Sequence, residues 1–183
     1  MGTSTTWQID ATHSAAEFAV KHLMISTVKG RFAEVSGTVT VDDAKPGEAA
    51  VNVSINAASI DTREEKRDAH LRSADFFDVE KYPTITFKGT RTDGPVDGEF
   101  KLVGNLTIRD VTREVVLAVE SAGQVKDPWG GVRTGYSATT KINRKDFGLT
   151  WNVAMEAGGV LVGDEIKISI EVELVRQAAQ AAA

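Results

Sequence analysis

The feature of this chain that most constrains its fold is an alternation of apolar and polar residues with a period of two. It is clearest where Ile166, Ile168, Ile170, Val172 and Leu174 interleave with Lys167, Ser169, Glu171 and Glu173. Successive side chains of a strand point to opposite faces, so such a segment reads as a strand with one face buried and the other in water. The pattern recurs at Phe18, Val20 and His22; at Val35, Gly37, Val39 and Val41; at Val51, Val53 and Ile55; and at Ile85 and Phe87. It returns at Phe100 and Leu102 continuing to Leu106 and Ile108, at Val115, Leu117 and Val119, and at Tyr136, Ala138, Thr140 and Ile142. Together these segments predict about eight strands. Turn chemistry separates them: Asp42-Asp43 through Pro46-Gly47, Asp93-Gly94-Pro95, Arg109-Asp110, and Asp127-Pro128 into Gly130-Gly131. Consecutive strands with short turns predict an all-β antiparallel meander. Two packings bury its apolar faces, a two-sheet sandwich or a barrel closed on itself. The inward set mixes large residues with Gly, Ala and Thr, a composition compatible with an unfilled lumen.

One segment breaks the pattern. From about Asp61 to Pro83 alternation stops, and Glu64 to Arg72 are mostly helix formers, which predicts one short helical insertion. Thr62 is placed to cap this helix, with Glu65 three residues on as the capping-box partner. Leu71, Phe76 and Phe77 then supply an apolar face that closes or borders one end of the sheet. Arg67, Asp68 and Arg72 read most simply as a solvated or bridged helix face.

Length and charge bound the functional classes. A chain of 183 residues fits one domain, assigned here to residues 1–176, with the alanine- and glutamine-rich residues 177–183 as a flexible tail. The net charge of −5 opposes nucleic acid and anionic lipid surfaces, and no basic cluster reverses it. The absence of cysteine removes disulfides, thiolate zinc sites and cysteine nucleophiles. No apolar stretch approaches the roughly 20 residues of a membrane-spanning helix. Met1 to Asp10 lacks the basic and apolar regions of a secretory leader, giving the expectation of a cytoplasmic protein, or a periplasmic or secreted one if a leader has been removed.

Candidate chemistry is sparse. Asp10, His13 and Ser14 have the residue types of a hydrolase triad. On an extended segment, however, Asp10 and His13 project to opposite faces, and no strained G-x-S-x-G turn presents the serine. No catalytic residue is therefore assigned. His13, His22 and His70 lack the i, i+2 or i, i+4 spacing of a metal pair, so no metal is assigned. His22 shares a face with Phe18 and Val20, where an imidazole would meet either a protein partner or a ligand's polar head. Strand phase predicts a lumen lined by Phe18, Val20, His22, Phe32, Val53, Ile55, Phe87, Phe100, Leu102 and Ile108. Phe76, Phe77 and Trp151 suit ordinary core packing as well as ligand contact, and with Leu71 they complete the candidate ligand-binding set.

A series of motifs in order along the chain carries a resemblance. It runs from Trp7, Ile9, Asp10, His13, Ser14, Phe18, Val20 and His22 through Ser26, Val28, Gly30 and Phe32 to Ser59-Ile60-Asp61-Thr62 and Arg67-Asp68-x-His70-Leu71. It continues with Asp75-Phe76-Phe77-Asp78, Tyr82-Pro83-x-Ile85-Thr86-Phe87, Gly104, Leu106-Thr107-Ile108, Val111-Thr112, Asn143-Arg144-x-Asp146-Phe147-Gly148 and Val162-Gly163-Asp164-Glu165. Over roughly residues 7 to 175 the chain resembles the YceI-like family, a lipocalin-like group associated with binding of polyisoprenoids and other long-chain lipids. The resemblance implies an extended eight-stranded antiparallel β-barrel around an elongated apolar channel. It also implies a bound polyisoprenoid, such as an isoprenoid quinone, or another long-chain lipid, with no other cofactor and no catalysis. A homodimer is compatible with it. Asp110 stands where the family pattern usually has glycine, in a turn expected to lie away from the channel. Two other readings stay open: an enzyme or stress factor acting on an isoprenoid quinone through His22 or His13, and a structural or dimeric module with a side-chain-filled barrel.

Overall fold

The structure, a computed structural model, describes residues 3–179. Its strands are β1 (Ser4–Ile9), β2 (Ala15–His22), β3 (Ser26–Phe32), β4 (Val35–Asp42), β5 (Lys45–Asn56), β6 (Ile60–Asp61), β7 (Thr84–Asp93), β8 (Glu99–Ile108), β9 (Val111–Lys126), β10 (Val132–Asn143) and β11 (Val162–Arg176), and among the described residues one α-helix, α1 (Glu65–Arg72), lies between β6 and β7. Hydrogen-bonded neighbours run β1-β4-β5-β7-β8-β9-β10-β11, and β11 returns to β1 with Leu174 opposite Ile9. Eight strands thus close into an antiparallel barrel, the solution that leaves no free sheet edge around the ring.

The first half of β11 pairs with β2, Ile166 opposite Val20, and β2 and β3 continue to β6. In effect β1 with β2, and β3 with β4, are two long bent strands. The first is broken by a 3-10 turn at Ala11–His13, the second at Ala33 and Glu34. The alternating segments correspond to β2, β4, β5 and β7 to β11. Strands β1 and β3 were not among them, because β1 carries Thr5 at an inward position and β3 carries Gly30 where the pattern wants an apolar residue. Gly30 lies opposite Phe18, and the Phe18 ring fills the space that any side chain at residue 30 would need.

Bulges change the phase of the wall. Register shifts at Gly89/Arg91 in β7 and opposite Gly135/Tyr136 in β9 each insert one extra residue. Inward positions therefore switch from Phe87 to Thr92, and from Val119 to Gln124.

Helix α1 is capped differently from the expectation. Arg63 has a left-handed backbone, with φ of 64°, and reverses the chain after Thr62. Glu64 becomes the cap, its carboxylate accepting from the Lys66 and Arg67 N–H groups. Thr62 is buried, donating to Asp68 Oδ1 at 2.5 Å and accepting from Arg67 Nε at 2.7 Å. In the Ile108–Val111 turn the positive φ of 56° falls on Arg109, so Asp110 carries none of that strain and takes no part in the barrel interior. Beyond β11 the Gln177 N–H still donates to Thr6 O at 2.8 Å. Residues 180–183 of the expected tail lie outside the described residues.

Candidate ligand cavity

The barrel encloses a cavity of about 550 Å³, within the roughly 300–1,000 Å³ of small-molecule sites. Every strand of the ring contributes to its wall at alternate positions, as in Ile166, Ile168, Ile170, Val172 and Leu174 of β11. Lining hydroxyls are mostly occupied by the backbone: Thr134 donates to Gly123 O at 3.0 Å and Thr140 to Val116 O at 2.9 Å. Tyr136, packed edge-on against Phe100 with centroids 6.1 Å apart, also lines the cavity. Among the described residues its hydroxyl has no hydrogen-bond partner, so it offers the lumen a polar handle.

The two ends differ. At one, the β4–β5, β7–β8 and β9–β10 turns surround a mouth to which Asp43, Pro46, Val96, Gln124 and Arg176 contribute. At the other, aromatic rings form a floor. Phe32 lies 5.8 Å from Phe18 and meets Phe77 edge-on at 5.5 Å, while Phe76 and Leu71 complete the closure.

Polar clamps hold the floor from outside. The Arg72 guanidinium donates to Ala58 O and Ile60 O, both at 2.9 Å. Arg67 donates to Thr62 O at 2.8 Å, and the buried Asp68 receives both the N–H and the hydroxyl of Thr62. These charges form a bridged face that pins α1 to the end of the sheet. Arg144, 3% exposed, borders the cavity, yet its donors go to Gly163 O, Leu149 O and Trp151 O at 2.9, 2.6 and 2.9 Å. Burial pushes its pKa down, and the facing Asp164 partly opposes that shift. Its role is to tie the loop between β10 and β11 to the floor.

Of the candidate residues, Phe18, Phe32, Val53, Ile55, Leu71, Phe76, Phe77, Phe87, Phe100, Leu102 and Ile108 line this cavity. Val20, His22 and Trp151 do not. Val20 and His22 have the inward phase and stand directly opposite Ile166 and Val162, but at that level the cavity is lined by these β11 partners and not by β2. Trp151 lies one layer behind the floor, 5.4 Å from Phe76 and 4.6 Å from His70. Strand phase identifies the face of a residue but not where along the strand the cavity stops. Tyr136 and the β11 wall residues were missed as candidates although their alternation was visible.

The triad candidates lie at the barrel seam, outside the cavity. The 3-10 turn brings Asp10 and His13 together, Nδ1 to Oδ2 at 3.0 Å, contrary to the extended geometry expected. Ser14 is not with them, because its Oγ accepts the Glu173 N–H at 3.1 Å and patches the ladder between β1 and β2. Asp10 also accepts from Thr12 Oγ1 at 2.6 Å and Arg133 at 2.9 Å, and these donors hold its carboxyl far below the usual range. The Asp10 hydrogen bond, with the charges of Asp10 and Glu173, raises the His13 pKa. Asp10, His13 and Glu173 could present ligand atoms within 4.8 Å of one another. The Arg133 guanidinium already binds both carboxylates, which makes the cluster an ion-pair network.

Residues 7–174 match the YceI-like domain. Protein YceI of Salmonella newport is 40% identical over 165 residues, covering 90% of this chain and 83% of the relative. The crystal structure of the Campylobacter jejuni YceI protein superposes with a TM-score of 0.72 at 35% identity, covering 86% of this chain and 90% of that one. A polyisoprenoid binding domain from Saccharophagus degradans shares the fold, with a TM-score of 0.69 at 15% identity over 92% of this chain and 97% of that one. With its barrel closed as in those structures and its motifs in order from end to end, the chain belongs to the YceI-like family.

Proposed function

We propose that this protein binds the tail of a polyisoprenoid, such as an isoprenoid quinone, or of another long-chain lipid in the barrel cavity, shielding or carrying it without chemical change. The observation that carries this reading is the cavity itself: an apolar lumen of about 550 Å³, open at a mouth and sealed by an aromatic floor. The fold shared with a polyisoprenoid binding domain supports it. Burying a methylene contributes about 0.8 kcal/mol, so a sixteen-carbon tail gains roughly 12 kcal/mol gross. Association costs of about 4 to 15 kcal/mol offset much of that. Long tails therefore bind without sharp selection by length, and selectivity comes from cavity shape and from groups such as Tyr136.

A quinone-transforming enzyme would need an acid–base group at the head of the ligand. Neither His22, near the end of β2, nor His13, at the seam, lines the cavity. Native mass spectrometry of the purified protein tests the reading. A copurified lipid, or added long-chain lipid bound one to one, supports binding, and its unchanged mass after incubation supports carriage over turnover. A protein that takes up no lipid tail contradicts the proposal.

A further inference from the structure

We propose that the cavity mouth docks directly on an uncharged, zwitterionic lipid bilayer through the β9–β10 turn, with Trp129 as its anchor. The inference rests on the lipid-carrier reading and names the surface from which the cavity fills.

Trp129 is 85% exposed and sits at the tip of a turn that has little freedom. Asp127 Oδ1 accepts from the Trp129 N–H at 3.0 Å and from the Gly131 N–H at 2.8 Å, while Asp127 Oδ2 binds Arg133 Nε at 3.0 Å. The backbone adds Asp127 N–H to Gly131 O at 2.9 Å. A built turn therefore holds a large apolar ring in water. Indole is the side chain best suited to a membrane interface, with an apolar body and one polar N–H. Val125 on the same hairpin is exposed as well, and Pro46 and Val96 carry the apolar rim into the cavity.

Charge selects the kind of bilayer. The three mouth turns, residues 42–48, 93–99 and 126–132, hold seven carboxylates and two lysines. That rim repels an anionic surface and lacks the polybasic patch that would seek one. The outward face of β11, with Lys167, Glu171 and Glu173, keeps the barrel wall in water, so contact is confined to the rim. The apolar β2–β3 turn, with Met24 and Ile25 exposed, lies at the floor end, where docking would present no opening; it serves as the internal control.

The test uses the full chain with phosphatidylcholine vesicles whose acyl chains are brominated at a shallow depth, which quench tryptophan on insertion. The wild-type protein should show quenching that Trp129→Ala abolishes, with vesicle partitioning about ten-fold weaker, equivalent to roughly 1.4 kcal/mol. A double Met24→Ser, Ile25→Ser variant should behave as wild type. Adding phosphatidylglycerol should reduce binding, and salt should restore it. Quenching that survives in Trp129→Ala, that is lost in the Met24/Ile25 variant, or that requires anionic lipid would overturn the proposal. Native mass spectrometry of the same samples separates the two readings. Lipid-loaded protein without Trp129-dependent quenching overturns docking and leaves the carrier reading intact. Trp129-dependent quenching by protein that never takes up lipid supports docking and removes the carrier reading.

Discussion

The Phe87 ring lies over Gly104 on the neighbouring strand, so close that a Cβ at residue 104 would collide with it. The two residues are a diagonal pair, since Phe87 is directly opposite Leu106 and Gly89 opposite Gly104. A glycine here lets an aromatic ring lie flat on the wall, so that the lumen beside it stays open.

Gly104→Ala should therefore push the Phe87 ring off the wall and into the cavity and shift the β7 backbone at the Lys88 carbonyl, which the new Cβ would also meet. Overpacking of this kind typically costs about 1–3 kcal/mol. Urea unfolding should show the loss, and the variant should bind long-chain lipid more weakly than its stability alone explains.

Asp68→Ala removes the acceptor that ties Thr62 to α1. Losing a buried, charged hydrogen-bond partner predicts destabilisation of about 2–4 kcal/mol. Because this network pins the floor, lipid off-rates should rise together with the loss in melting temperature. Equal off-rates in a folded Asp68→Ala protein would show that the floor does not depend on the clamp.

At the seam, His13 holds its proton more tightly in the folded protein than in the unfolded chain, whose ordinary value is 6.5. Its contribution to stability is fully present below that value and is lost as pH rises through the higher folded value. Asp10 behaves in the opposite sense. Its folded pKa is depressed, so its contribution is present above the ordinary 3.8 and disappears as pH falls toward the folded value. Melting temperatures of wild type and His13→Ala at pH 6 and pH 8 should differ more at the lower pH, and high salt should shrink that difference.

Much of the barrel was legible because a wall facing an apolar lumen on one side and water on the other writes period two into the chain, nowhere more plainly than in β11. The parts that escaped have identifiable causes. Gly30 makes room for Phe18 and so erases the alternation of β3. The bulges at Gly89/Arg91 and opposite Gly135/Tyr136 move Thr92 and Gln124 onto the inner face by inserting a residue that no local pattern announces. Thr62 has the composition of a cap, but the left-handed Arg63 hands that role to Glu64. Val20 and His22 share the face of Phe18, yet at their level the cavity is lined by the opposed Ile166 and Val162 of β11, which local phase in β2 does not announce. Asp10 meets His13 only because a single 3-10 turn interrupts an otherwise extended stretch.

The measurement that bears most directly on the cavity as a lipid site is titration calorimetry with twelve-, sixteen- and twenty-carbon single-chain ligands sharing one head group, at low and high salt. Binding by apolar burial predicts affinity that rises with tail length by at most roughly 0.8 kcal/mol per methylene and levels off once the lumen is full. It also predicts a negative heat-capacity change and little response to salt. Affinity that is flat with tail length and falls steeply with salt would place the binding energy in the head group and surface charges, and would contradict the account.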